Sequence, residues 1–265
     1  MTIEIKFVFS IGHSCNAGGF LKENGLRKVS SPFDWMLIDF ETSLEVINDN
    51  FEHYLNDTVH FKQDTNILEL VRSKKHNIIP KNVNTLYSIP SKYMNFNWYD
   101  HNMFINANYL DNNELPHNFY DWSKYCIFIH HDLLNQYFID TLQNRINRFK
   151  YLYNNFSENT LLFYLTKIEH INTVEETMEN ILNMLKENNI KSYIGIIVCC
   201  DNVNDCYYFK DKCLFIFKKV ATYNEQLAMG GTENTINISF TNELEIIKNH
   251  FTFNLIEYTD IENNW

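Results

Sequence analysis

Cys15 stands where a thiol becomes reactive. The run Phe7 to Ile11 is apolar, Gly12 bounds it, and Ala17 to Asn24 has the composition of a short helix. A Cys at such a strand-to-helix junction meets backbone N–H groups and the positive end of the helix dipole. Both favour the thiolate and lower its pKa. Attack on a carbonyl also needs a base within hydrogen-bond reach and donors for the oxyanion. Gly12, Gly18 and Gly19 allow a ligand to come close to the backbone here. Two imidazoles, His130 and His131, end the apolar run Tyr125 to Ile129. Side chains alternate along a strand, so the two point oppositely and only one can face the thiol. Two carboxylates could orient that base. Asp34 lies in Ser31-Pro32-Phe33-Asp34-Trp35, between two large rings, and Asp132 adjoins His131. Asp34 also has a structural reading. An Asp after Pro commonly caps a turn or a helix start, and then Asp34→Asn costs at most about 1 kcal/mol.

Other chemistries are less well supplied. Ile-Gly-His-Ser after a first strand is similar to the nucleophile turn of SGNH esterases, with Ser10 or Ser14 as the attacking hydroxyl. That turn normally has an acidic residue before the Ser, and His13 stands there instead. Cys199, Cys200, Cys206 and Cys213 fit no two-knuckle zinc spacing, and the first two close an apolar run. Met229-Gly230-Gly231-Thr232 lacks the Lys of a phosphate loop. The expectation is an enzyme with no metal and no cofactor; the alternative is a non-catalytic binding module that serves glycan or virion assembly.

The modules around Cys15 and Asp34 together resemble one family, a domain of unknown function named for papain-like cysteine peptidases and found in bacteria and large DNA viruses. The resemblance rests on Ser10, Gly12, Cys15, Ala17 and Leu21, then Gly25-Leu26-Arg27, Ser30 or Ser31, and Pro32-Phe33-Asp34-Trp35. It continues through Phe128-Ile129-His130-His131-Asp132 and Arg145-Ile146-Asn147-Arg148-Phe149, and it fades after Thr166. Asn144 and Thr166 stand where the family pattern has Arg. The resemblance implies a Cys15–His131 dyad, with Asp34, Asp132 or His130 as further candidates. It implies a peptide or another acyl-bearing molecule as substrate.

Composition narrows the partners. The chain has 265 residues and a formal charge of −11, spread along its length. Nonspecific binding to nucleic-acid phosphates needs dense Lys and Arg, and docking on anionic membranes needs the same. Neither partner is expected. The N-terminal MTIEIKFVFSIG has no basic n-region, and Glu4 and Lys6 interrupt its apolar run, so it does not read as a signal peptide. Six Cys in a chain this long do not make a disulfide framework, which points to a reducing, cytoplasmic setting. The abundance of Asn, Ile, Lys and Tyr fits an AT-rich genome, such as that of a giant virus or an AT-rich microbe.

With 7 Gly and 4 Pro, no linker divides the chain, and one domain over 1–265 is expected. Apolar runs predict strands at Ile3–Ile11, Val59–Phe61, Tyr125–Ile129, Thr160–Leu165, Tyr193–Cys199 and Cys213–Phe217. Helical spacing predicts helices at Ala17–Asn24, Thr42–Tyr54, Phe138–Tyr153, Val174–Asn188 and Asn242–Phe251. Thr42 and Glu45 would form a capping box. Alternating strands and helices predict an α/β three-layer sandwich around a mainly parallel sheet; the alternative is a papain-like α+β fold. Residues 86–120 read as an irregular insertion rich in aromatics. It is expected to wall the Cys15 cleft, with Trp98 near the site. Gly12, Ser14, Trp35 and Trp98 are the expected substrate contacts.

Overall fold

A computed structural model of the chain describes residues 2–12, 15–34, 36–56, 58–62, 86–90, 92, 126–128, 133–167, 171–220 and 240–256. Five of its strands form a central sheet: β2 (Phe7–Ser10), β7 (Thr160–Lys167), β8 (Tyr193–Cys200), β9 (Cys206–Lys210) and β10 (Cys213–Lys219). Their order is β2-β7-β8-β10-β9, parallel throughout except for the antiparallel edge pair β10–β9. Apolar side chains cover both faces of this sheet. Along β7, Leu162 and Tyr164 face one core, while Leu161, Phe163 and Leu165 face the other. A strand buried on both sides reads as a continuous apolar run, which is why β7, β8 and β10 are plain in the sequence.

Helices complete the outer layers. α1 (Cys15–Glu23) and α5 (Thr241–His250) cover one face through Ala17, Phe20, Leu21 and Ile247. α3 (Gln136–Phe156) and α4 (Val174–Glu187) cover the other through Leu142, Ile146, Phe149, Leu152, Ile181 and Leu185. α2 (Phe40–Asn48) joins that second layer through Leu44, Val46 and Ile47. This is the three-layer α/β sandwich with a mainly parallel centre that the alternation of elements predicts.

A second sheet backs the same core. β3 (Met36–Ile38), β6 (Cys126–Phe128), β5 (Leu86–Pro90) and β4 (Thr58–Lys62) lie antiparallel in that order. The expected irregular stretch from Leu86 therefore begins with a strand, and of 91–120 only residue 92 is described.

Three boundaries differ from the sequence reading. The first strand is two: β1 (Ile3–Ile5) pairs in parallel with β11 (Phe251–Phe253), and a bend at Lys6 passes the chain to β2 in the central sheet. Asp39, rather than Thr42, caps α2. Its carboxylate accepts from the Thr42 N–H at 2.9 Å and from the Thr42 hydroxyl at 2.6 Å. α2 also ends at Asn48 instead of Tyr54, because Asn50 and Phe51 turn to positive φ. The Phe51 and Asn50 N–H groups then donate back to Val46 and Ile47, a Schellman closure made without glycine.

Candidate active site

β2 is an edge strand, and the Ser31–Asp34 turn closes its open side. Ile11 N–H makes the last bond into the sheet, donating to Phe163 at 2.9 Å. On the outer side the Ser31 hydroxyl donates to the Ser10 carbonyl at 2.6 Å. Phe33 and Asp34 straddle the strand. Phe33 packs on the α3 side, with ring centroids 5.4 Å from Phe51 and 6.0 Å from Phe149. Asp34 reaches the α1 side, where the Ser10 hydroxyl donates to its Oδ1 at 2.5 Å. Pro32 contributes its carbonyl, which accepts from the Tyr54 hydroxyl at 3.0 Å.

Asp34 is the hub of this corner. Its side chain is 1% exposed. Oδ2 takes the Arg27 guanidinium at 2.9 Å and the Ser31 N–H at 3.0 Å. Burial pushes its carboxyl above the ordinary value, against the opposing pull of the Ser10 hydroxyl, Arg27, the Ser31 N–H and Arg145. α1 lies directly against it: a Cβ on Gly18 would stand 2.8 Å from Asp34 Oδ1 and 3.4 Å from Arg27 Nη1. Gly18 is therefore a packing requirement of the Asp34–Arg27 pair. Among the described residues Asp34's hydrogen-bond partners are Ser10, Arg27 and Ser31. The Leu26-Arg27, Ser31 and Asp34 modules are thus joined as one structure, and Ser31, rather than Ser30, is the serine that takes part.

Cys15 is the first residue of α1, and no acidic residue occupies that first turn. Only four residues separate it from Ser10, the last residue of β2. Gly12 makes the bend, with φ +114°. A side chain there would overlap the Ile38 Cγ2 methyl and lie 3.2 Å from the Ile38 carbonyl. Gly12 is thus held against β3 in a conformation that glycine alone adopts readily.

The other sequence candidates separate. Ser10 is 1% exposed and its hydroxyl is committed to Asp34, so it has no access to an ester and cannot be the hydroxyl nucleophile. Ser14, Trp35, Trp98, His130, His131 and Asp132 lie outside the described residues. β6 ends just before the two histidines. Its Phe128 pairs with Met36, two residues beyond Asp34.

The other thiols are poor nucleophiles. Cys199 and Cys200 close β8 facing opposite layers, both buried. Burial pushes the Cys126 and Cys213 thiols well up, and it also raises those of Cys200 and the half-buried Cys206. Among the described residues no three His, Cys, Asp or Glu side chains are placed to hold a metal. No described helix is long and apolar enough to cross a membrane.

Residues 6–122 match the model of the family described as "Putative papain-like cysteine peptidase". The matched segment contains Cys15, the edge strand β2 and the whole Asp34 corner. The resemblance read from the sequence extends to Thr166, whereas the matched segment ends at 122. His130, His131, Asp132 and Arg145 stand beyond it. No significant match was found to a curated protein or to a solved structure.

Proposed function

We propose that the chain is a cysteine-dependent hydrolase or acyltransferase of the papain-like peptidase type, with Cys15 as nucleophile. The observation that carries this reading is the position of Cys15 at the first residue of α1, within the family-matched segment and beside the braced edge of β2. The helix dipole and the N–H groups of the first turn favour a thiolate there. An acyl group would bind with its carbonyl carbon near Sγ. The C–S bond forms as the carbonyl π pair moves to oxygen, where backbone donors stabilise it. Collapse expels the amine or alcohol, protonated by the imidazolium. Water or another acceptor, deprotonated by the same imidazole, then releases the acyl group.

His131 is the proposed base, with His130 as the other candidate. The register of β6 on β3 supports this. Phe128 lies beside Met36, and three extended residues reach at most about 11 Å. The chain leading to both histidines leaves β6 at Phe128, the end nearest the Asp34 turn. Asp34 is assigned a positioning role. It fastens β2, α1 and Arg27, and so sets where α1 begins, rather than orienting the base directly.

Acyl trapping tests the proposal. Incubation with activated p-nitrophenyl esters of short acylated peptides should add one acyl group, located on the Cys15 tryptic peptide by mass spectrometry. Cys15→Ala should lose this adduct, and His131→Ala should slow its formation by about 10²-fold or more, the usual worth of a general base. An adduct that survives Cys15→Ala would end the assignment.

A further inference from the structure

Among the described residues, one edge of the central sheet is closed and the other is open. The Ser31–Asp34 turn covers β2, whereas no strand pairs with the outer side of β9. Along β9, Tyr207 is 52% exposed, Tyr208 41% and Phe209 40%. Single exposed rings are ordinary, but three in a row on an open sheet edge invite a partner strand. Edge strands are normally guarded by proline, by a bulge or by charges along their length. β9 has no proline, its register on β10 is unbroken, and its one charged side chain, Lys210, stands at its end. The rings are also held in place. His250 of α5 stacks on Phe209 with centroids 5.5 Å apart and meets Tyr207 edge-on at 5.8 Å. Side chains already ordered lose little further entropy when a partner binds.

The backbone of β9 dictates how a partner strand pairs. Asp211 and Lys212, at φ +50° and +64°, form a two-residue type I′ turn. Lys210 and Cys213 then close the hairpin as a hydrogen-bonded pair. Alternation turns Tyr208 and Cys206 inward to β10, so Tyr207 and Phe209 point their N–H and C=O groups outward. Side chains alternate too: Cys206, Tyr208 and Lys210 lie on the α4 side of the sheet, and Tyr207 and Phe209 on the α5 side. Antiparallel pairing with a second β9 preserves these faces, closes about a two-fold axis and satisfies all four outward groups of each copy. An axis through Tyr208 is the register that pairs all five residues. Tyr207 then meets Phe209 of the other copy, Tyr208 meets its own counterpart, and Lys210 comes opposite Cys206.

Charge favours the same arrangement. α4 follows β7, so its first turn, with Glu175, lies at the end of the sheet where β9 begins, and α4 packs on β10 there. Glu175 also acts electrostatically on Cys206 and Tyr208. That end holds Glu175, Asp201 and Asp205 against Lys219, two negative charges net. The other end holds Lys210 and Lys212 against Asp211, one positive charge net. Antiparallel pairing sets each basic end on an acidic one, with Lys210 of one copy approaching Glu175 of the other. We propose that β9 is a dimerisation strand, through which two copies of this chain join their central sheets edge to edge. A five-residue strand buries less than the roughly 800 Å² per partner of a standard interface, so the dimer belongs to the weak, micromolar class. β9 and β2 are opposite edges of the sheet, and the dimer does not rest on the hydrolase reading.

Sedimentation velocity of the full chain from about 1 to 200 μM tests this. The average mass should rise from one chain toward two. Lys210→Glu and Glu175→Lys change exposed side chains, so neither should move the Tm by more than about 2 °C. Each should raise the dimer Kd by about five- to thirty-fold, because the like-charge contact occurs twice about the axis. The double variant restores opposite charges and should return the Kd to within about threefold of the native value. Oxidative cross-linking in a Cys15→Ala, Cys206→Ser chain locates the axis. Tyr208→Cys should form a disulfide dimer, because the axis brings the two Cα atoms to about 4.5 Å. Phe209→Cys should not, because its counterpart lies two residues out of register, at about 8 Å. Three results would overturn the proposal: a single-chain mass throughout the range, a double charge variant that dimerises no better than either single one, or a disulfide formed at Phe209→Cys in preference to Tyr208→Cys.

Discussion

Asp34→Ala should lower the melting temperature by roughly 10 °C, because removing one partner of a buried ion pair costs about 3–5 kcal/mol and each kcal/mol is worth about 2–4 °C in a chain of this size. The change strands three groups: the Arg27 guanidinium, whose side chain is 14% exposed, the Ser10 hydroxyl and the Ser31 N–H. It also removes what fixes the Ser31–Asp34 turn on the edge of β2. Asp34→Asn should be far milder. Asn keeps an oxygen for Arg27 and Ser31 and turns its amide to the Ser10 Oγ, which then accepts, at a cost on the order of 1 kcal/mol.

The pH dependence separates the two effects. The Asp34 carboxyl is raised in the folded state, chiefly by burial. The folded protein therefore holds this proton more tightly than the unfolded chain does. The stability so contributed is complete below the ordinary carboxyl value and is lost as pH rises through the folded-state value. Relative to Asp34→Asn, which cannot titrate, the native chain should gain stability as pH falls from neutral through that window. Paired melting curves across acid pH check the sign; a native chain that instead loses ground to Asp34→Asn on acidification would show a carboxyl lowered by Arg27.

Gly12→Ala should be as damaging. A φ of +114° strains any residue with a Cβ, at about 1–3 kcal/mol. The added methyl also overlaps Ile38 Cγ2, and forcing an extra carbon into a packed core costs a further 1–3 kcal/mol or so. Ile38 cannot yield easily, since it is fully buried in β3. A fall in Tm of roughly 10 °C follows from the sum. Gly12 lies three residues before Cys15, so the start of α1 must shift as well. A melting temperature within about 2 °C of the native value would mean that the chain between β2 and α1 is not held as described.

The legible parts of this fold are those whose burial is uniform. β7, β8 and β10 are apolar on both faces, and α3 and α4 bury a stripe at helical spacing, so period alone finds them. β9 was not legible. Cys206-Tyr207-Tyr208-Phe209-Lys210 is an exposed edge strand, and the Asp211-Lys212 turn that returns it to β10 has both residues at positive φ without a glycine to announce it. The antiparallel sheet was legible only in part. Val59–Phe61 and Tyr125–Ile129 read as strands and match β4 and β6, but β3 is three residues long and pairs with β6 across about ninety positions of sequence, so no local pattern marks it. At the site, the sequence singled out Cys15 and Asp34 separately. It did not show that Ser10, Arg27 and Ser31 all end on one carboxylate, because a hydrogen-bond network closes only in three dimensions. The capping reading of Asp34 is incomplete for the same cause: the carboxylate does accept the Ser31 N–H of its own turn, and it also ties an edge strand to a guanidinium.

The nucleophile assignment is tested most directly by the rate of iodoacetamide alkylation at each of the six thiols, followed by peptide mass spectrometry between about pH 5 and 9. Alkylation follows the thiolate fraction and access. Cys126, Cys199, Cys200 and Cys213 are buried, and burial raises the Cys206 thiol. The native chain should therefore be labelled at Cys15 first, at least tenfold faster than at any other thiol, with a midpoint below the ordinary thiol value of about 8.5. His131→Ala should raise that midpoint while leaving the other five thiols unchanged. A Cys15 that reacts no faster than Cys206, or only as pH climbs past the ordinary thiol range, would contradict the assignment.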